Sequence, residues 1–302
     1  MKEYKDIKRI LVPAPLTDEF CVPLHQAMHF NKAYGTEIIL LNVASDNSLS
    51  QRIFNRDNIS RRSREAEERL KELTKDYFNG SIPEKVSLKV ANGPLIPTIL
   101  KEAAGNRCDL IIIRKAEKNK NPLAFLKTEN ADRLISEAIC PVLTISKNPT
   151  SEKINDILLP VDIFKKTSNK VAWAISIARQ FDSRLHIVSV LDMDIKPEDS
   201  LSFRKSKDIE KVIRQEGIDV DTVLLKSGSK SIAQTVLDYA DRIQPDMLMI
   251  MTHQESVLLD NYLGTFAGDI IHKSEIPVFS VVPRKETILE GFLDPIAKKV
   301  CC

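Results

Sequence analysis

Short, branched, nearly uninterrupted apolar runs recur along this chain, separated by longer stretches in which apolar residues return every three or four positions. In the amino-terminal half the runs are ILVP (10–13), EIILLNV (37–43), VSLKV (86–90), DLIII (109–113) and PVLTI (141–145). Apolar runs of this length without alternation mark strands buried on both faces. The intervening periodicity predicts helices over 22–34, 61–77, 96–104 and 130–138. The second of these is highly charged, with Ala66, Leu70 and Leu73 on one stripe. The carboxyl-terminal half repeats the order with DILLPV, LHIVSVL, VDTVLL, DMLMIM and PVFSVV, and with helices near 167–181, 205–216, 230–242 and 264–274. Strand alternating with helix implies the α/β class: parallel sheets, helices on both faces and right-handed crossovers.

The halves are copies. Residues 7–13 read IKRILVP and 154–160 read INDILLP, an offset of 147 residues. Residues 140–146 read CPVLTIS and 276–282 read IPVFSVV, an offset of 136, so the second copy is shorter by 11. A repeat this long is a whole domain rather than a solenoid unit. The expected organisation is two tandem, doubly wound, five-stranded domains at 1–147 and 154–284, joined by the polar linker KNPTSEK (147–153) and followed by a tail at 285–302.

With 302 residues, 43% of them hydrophobic, and only 9 glycines, the chain is neither disordered nor collagen-like. A formal charge of +2 is too balanced for a surface built to hold nucleic acid, so any anion site must be local. Five cysteines without a CxxC pair suggest neither a disulfide framework nor a zinc ribbon. The apolar part of the first 15 residues is too short for a signal-peptide core, and no run approaches a membrane span. A soluble, cytoplasmic protein without membrane contact is expected.

In an open sheet of this kind ligands bind at the carboxyl ends of the strands, at the topological switch point. LPVDIF places Asp162 just past the first strand of the second half, where a carboxylate can accept hydrogen bonds from a ligand; the aligned residue of the first half is Pro15. Past the fourth strand of the second half, the chain leads to Gly264 and Thr265 at the start of a predicted helix. Such a pair can hold phosphate through free backbone N–H groups and the helix dipole. The plainer reading makes Gly264 a turn, Thr265 an N-cap and Asp162 the cap of the next helix.

These residues resemble the universal stress protein family in its tandem-domain form. The similarity rests on LPVD (159–162), the LHIVSV strand, a glycine after the third strand (Gly93, Gly228) and the PVLTI and PVFSV endings. It implies a five-stranded parallel sheet of the adenine nucleotide alpha hydrolase type, the two domains being related by an internal pseudo-two-fold. Members that bind ATP have a loop of the form GxxG, nine residues, then Gly-Ser or Gly-Thr. Here Met251 and Gln254 stand at the first glycine positions and Gly264-Thr265 retains the end of the motif. The first half has Arg114 and Glu117 there, and Lys127-Thr128 for Gly-Ser. The resemblance therefore implies ATP or another adenine nucleotide, with Mg, in the second domain only. Pro160 and Val161 would lead into Asp162 near the base, with Val190 beside it. Thr252 and His253 would lie along the loop, and Gly264, Thr265 and Phe266 at the phosphates. It also implies an intramolecular domain pairing or a homodimer through the last strands.

Other candidates carry less. GSKS (228–231) lacks the GxxxxGK order and reads as a strand-to-helix turn. His25 and His29 share a helix face, but no acidic or sulfur ligand accompanies them, and packing or surface roles are expected; His186 and His272 stand alone. The basic loop over 114–127 reads as solvated. Cys301-Cys302 looks like a lipidation tail, with exposed thiols as the plainer reading. No nucleophile triad, HExxH or paired carboxylates appear, so no catalytic residue is named. The reading is a stress-response binding and regulatory module; the alternatives are a slow ATPase using the second-domain loop and a ligand-free interaction scaffold.

Overall fold

The apolar runs become parallel strands because each is long enough to cross a domain and has no polar face to give to water. A computed structural model describes residues 6–44, 56–115, 126, 128–146, 153–162, 167–191, 201–252 and 263–282. Two compact units divide the chain, one spanning Asp6–Asn148 and the other beginning at Pro149. In the first, β1 (Arg9–Pro13), α1 (Cys21–Tyr34), β2 (Glu37–Ala44), α2 (Arg56–Tyr77) and β3 (Val86–Asn92) are followed by α3 (Leu95–Gly105), β4 (Leu110–Arg114), α4 (Thr128–Glu137) and β5 (Val142–Ile145). In the second the order is β6 (Asp156–Pro160), α5 (Ser168–Phe181), β7 (Arg184–Leu191), α6 (Leu201–Gln215), β8 (Val220–Lys226), α7 (Ile232–Ile243), β9 (Met247–Met251), α8 (Thr265–Lys273) and β10 (Val278–Val281).

The strands run in the order β3-β2-β1-β4-β5 in the first unit and β10-β9-β6-β7-β8 in the second, all pairs parallel. The central strands are buried on both faces, with Ile10, Leu11, Leu40, Ile111 and Ile112 fully covered in one sheet and Leu158, Ile187, Met249 and Phe279 in the other, to within 1%. Trp173 of α5 lies against Phe279 of β10, ring centroids 5.6 Å apart. Among the described residues no helix is long and apolar enough to cross a membrane.

The repeat extends to the hydrogen bonds that lock the strand ends. At the amino ends, Asp109 Oδ2 accepts the N–H groups of Lys8 and Arg9 at 2.9 and 3.0 Å, and Asp246 Oδ2 accepts those of Asn155 and Asp156 at 2.7 and 3.1 Å. Thr36 Oγ1 donates to the Ile7 carbonyl, and Ser183 Oγ to the Ile154 carbonyl. At the carboxyl ends Asn42 Nδ2 donates to Ala14 O at 2.8 Å, matched by Ser189 Oγ to Val161 O at 3.1 Å. The glycines after the third strands have left-handed backbones, φ +147° at Gly93 and +60° at Gly228. At Gly93 a Cβ would also lie 2.6 Å from Thr98 Oγ1, so glycine is required there on both counts.

Asp246→Ala strips the acceptor from two main-chain donors that tie β9 to β6. It should destabilise the second unit by about 1–3 kcal/mol. Trp173 is the only tryptophan of the chain, so its fluorescence during urea unfolding reads this loss in its own unit.

Candidate ligand site at the carboxyl ends of the second sheet

In the second sheet β6, β7 and β8 step one way while β9 and β10 step the other. The crossovers therefore leave opposite faces, which makes the carboxyl ends of β6 and β9 the switch point where a sheet of this kind takes a ligand. The sequence-derived candidates can be placed around it. Pro160 ends β6. Val161 is held on both sides of its peptide, its N–H on Val188 O at 2.8 Å and its carbonyl on Ser189 Oγ at 3.1 Å. Asp162 follows, half-buried, and Val190, also half-buried, pairs with Leu225 along β7.

On the other side of the switch point, Thr252 follows β9 and is fully buried. Its N–H and hydroxyl both donate to Val281 O, at 3.0 and 3.3 Å. The Thr252 carbonyl accepts the Gly264 N–H at 3.2 Å, which seats the start of α8 at the end of β9. Gly264 is the N-cap, with φ −59°, and has no side chain with which to cap the helix. Thr265 is thus the first helical residue, exposed, not the N-cap expected from the plainer reading; Phe266 beside it is half-buried. Nor does Asp162 cap the following helix, because the N-cap of α5 is Thr167. His253 and Gln254 lie outside the described residues.

The first sheet has the same switch point, between β1 and β4, with different residues at it. Pro15 stands where Asp162 does, and Lys115 occupies the place of Thr252 with its N–H on Ile145 O at 2.9 Å. The Lys115 side chain is buried, only 5% exposed. Thr128 opens α4, while Glu117 and Lys127 lie outside the described residues.

The model of the universal stress protein family matches residues 6–146 and again 153–281. The chain belongs to the universal stress protein family. No curated protein sequence matches it. Among solved structures it is similar to a universal stress protein from Archaeoglobus fulgidus, with 19% identity and a TM-score of 0.70 over 94% of this chain and 99% of that one. A functionally unknown protein from Pseudomonas aeruginosa is similar at 19% identity and TM-score 0.59, over 98% and 95% of the two chains. A shorter likeness, 23% identity over 42% of this chain and 97% of the other with TM-score 0.35, is to an Archaeoglobus fulgidus universal stress protein in complex with dAMP. The first two show the fold over nearly the whole chain.

The remaining candidates resolve into structure. The GSKS segment is a turn closed by the Lys230 N–H on Ser227 O, after which Ser231 caps α7 by accepting the Gln234 N–H at 3.1 Å. Lys230 pairs with Asp238. On α1 the His25 and His29 rings meet edge to face at 4.7 Å, and His25 Nδ1 lies 3.3 Å from the Tyr77 hydroxyl. Among the described residues no group of three His, Cys, Asp or Glu could hold a metal. A cleft of about 410 Å³ at the amino ends of β6 and β7 is lined by Arg179 and Arg184, which pair with Glu216 and Asp219. It lies at the opposite end of the sheet from the switch point. The tail at 285–302 is outside the described residues.

Two residues that the sequence reading passed over have defined partners. His186, read as a solitary histidine, lies between Asp156 and Asp221, its ring nitrogens 2.7 and 2.8 Å from their carboxylate oxygens across three neighbouring strands. The partners are 30 and 35 residues away, so only strand register reveals them. Lys170 is buried in the first turn of α5, its ammonium on the Pro160 carbonyl.

Replacing His186 with leucine leaves two carboxylates facing an apolar side chain. It should lower stability by about 1–3 kcal/mol, seen in the melting of Trp173 fluorescence. The thiols give a second test. Burial pushes Cys108 up to about 11 and Cys140 up to about 12. Both stay protonated at pH 7.5 and are unreactive. Iodoacetamide should leave them unlabelled in the native chain and label them in urea, as peptide mass mapping reports.

Proposed function

We propose that this universal stress protein is a non-catalytic binding and regulatory module of the cytoplasm whose second domain holds an adenine nucleotide at the β6/β9 switch point. The single observation that carries this reading is the arrangement of Asp162 and Gly264-Thr265. A carboxylate follows β6, and a helix start with glycine at its N-cap is seated on the end of the adjacent β9. A carboxylate suits the hydrogen-bond donors of a base or ribose. Free N–H groups at a helix start suit a phosphate. The proposed ligand is ATP or a related nucleotide with Mg, and the first domain, with Pro15 and Lys115 at the matching places, is proposed to lack such a site.

The absence of any arranged nucleophile or general base among the described candidates favours binding over turnover. A ligand-free scaffold is the second reading. It is favoured by Thr252, whose hydroxyl is buried on Val281 O instead of facing the switch point.

Calorimetric titration of ATP, ADP and AMP with Mg separates these readings. The wild type should bind at least one of the three. Asp162→Ala combined with Gly264→Val should abolish that binding, because the first removes the acceptor and the second adds a branched side chain where the phosphate approaches the main chain. A wild type that binds none of the three would leave the scaffold. Phosphate release at background rate in both proteins is the expected accompaniment, and a rate lost with Asp162→Ala would instead establish an ATPase.

A further inference from the structure

We infer that Asp156, His186 and Asp221 form a pH-sensitive clamp across β6, β7 and β8, closed while the three groups share two protons and weakened when one is released. His186 Nε2 lies 2.7 Å from Asp156 Oδ1, and Nδ1 lies 2.8 Å from Asp221 Oδ1. An ionised carboxylate only accepts, and a neutral imidazole has one N–H and one lone pair. Both contacts are therefore hydrogen bonds only while a second proton is present, most simply on the ring. Without it, a nitrogen lone pair faces a carboxylate at hydrogen-bond distance. The ring is shielded, its side chain 12% exposed, whereas Asp156 and Asp221 are 42% and 36% exposed. Water can thus reach the carboxylates to exchange the proton, but replaces little of a bond lost at the ring.

The charges around the ring decide the sign. His186 is the only basic side chain within ion-pair distance of Asp156 among the described residues. The main chain of Asp156 is held separately, its N–H on Asp246 Oδ2 just before β9. Asp221 shares Arg184, whose guanidinium lies 3.4 Å from both Asp221 and Asp219. On α7, which packs against β7, Tyr239 is pushed up by burial and by the charge of Asp221, and Arg242 stands 4.8 Å over its ring. Helices α5 and α6 lie on the other face of β7, where Ser206 meets Ser189. Releasing the clamp's proton therefore leaves Asp156 without an opposing charge. The clamp contributes its full stability between the ordinary carboxylate and histidine ranges, about pH 4 to 6.5, and loses it as pH rises through the release of that proton.

The first unit has the same strands without the device. The offset of 147 that aligns Ile7 with Ile154 matches Asp156 with Arg9, Arg184 with Glu37 and His186 with Ile39. Asp221 and Ser87 are each the second residue of the third strand. There Arg9 Nε donates to Glu37 Oε2 at 2.8 Å, and an Arg–Glu pair keeps its charges across the range in which histidine titrates. Strand pairing at this place does not require a titratable ring, so the clamp is a property of the second unit alone. It lies at the amino end of β6, away from the proposed ligand site, and stands without the nucleotide reading.

The test uses the full chain. Trp173 fluorescence during urea unfolding reads the second unit. Two-bond proton–nitrogen NMR correlations of the histidine rings distinguish an imidazolium from a neutral tautomer, and the His186 signal is the one missing from His186→Leu. In Asp156→Asn the side-chain amide donates to the ring nitrogen it faces, so a neutral His186 makes both hydrogen bonds and the clamp needs no second proton. From pH 5.5 to 8.5 the wild-type urea midpoint should fall more than that of Asp156→Asn. His186 should release its proton about 1–2 pH units higher in the wild type than in the variant. Asp221→Asn makes the same change at the other nitrogen and serves if Asp156→Asn does not fold. Equal pH dependence of the midpoint in wild type and the folded Asn variant would overturn the clamp, as would a His186 titration that the variant leaves in place.

Discussion

Parallel strands can be joined only by crossovers, and crossovers are right-handed, so a sheet that grows outward in both directions must change face once. The proposed ligand site of this chain depends on that constraint. Where β6 and β9 lie side by side, the helices that follow the two strands stand on opposite faces of the sheet. The same switch point lies between β1 and β4. Main-chain groups at such a place need partners. Each domain meets part of that need with a polar side chain from its second strand, Asn42 on Ala14 O in one and Ser189 on Val161 O in the other.

The two domains show which residues belong to the scaffold and which to the switch point. The amino-end locks are matched, Asp109 with Asp246 and Thr36 with Ser183. They tie the amino ends of neighbouring inner strands together in both sheets. The switch-point residues diverge at the same time: Pro15 against Asp162, Lys115 against Thr252. Divergence at the carboxyl ends of a shared sheet separates a common architecture from two different surface chemistries. The first domain places a buried lysine at its switch point, and the second a buried threonine bonded to the neighbouring strand.

Much of this was legible in the chain. Asp162 and Gly264 could be placed at strand ends because position relative to an apolar run is a local property. The same kind of reading misassigned the caps. Thr265 and Asp162 have capping chemistry, yet Gly264 and Thr167 stand at the helix starts, because the docking of the Gly264 N–H on Thr252 O and the course of the backbone after β6 decide where each helix begins. His186 was invisible for a different reason: its carboxylates come from the two flanking strands.

The sequence by itself determined the elements, their order, the duplication and the family, since each follows from periodicity and spacing within one copy or from comparison of the two. The tertiary structure alone decided the environment of individual polar groups. It made Lys170 a buried cation at a strand end, gave His186 two acidic neighbours, and turned the Thr252 hydroxyl toward Val281. The physical reason is that hydrophobic patterning is written into successive residues, whereas the electrostatic surroundings of a side chain are set by groups brought together from strands and helices far apart in the chain.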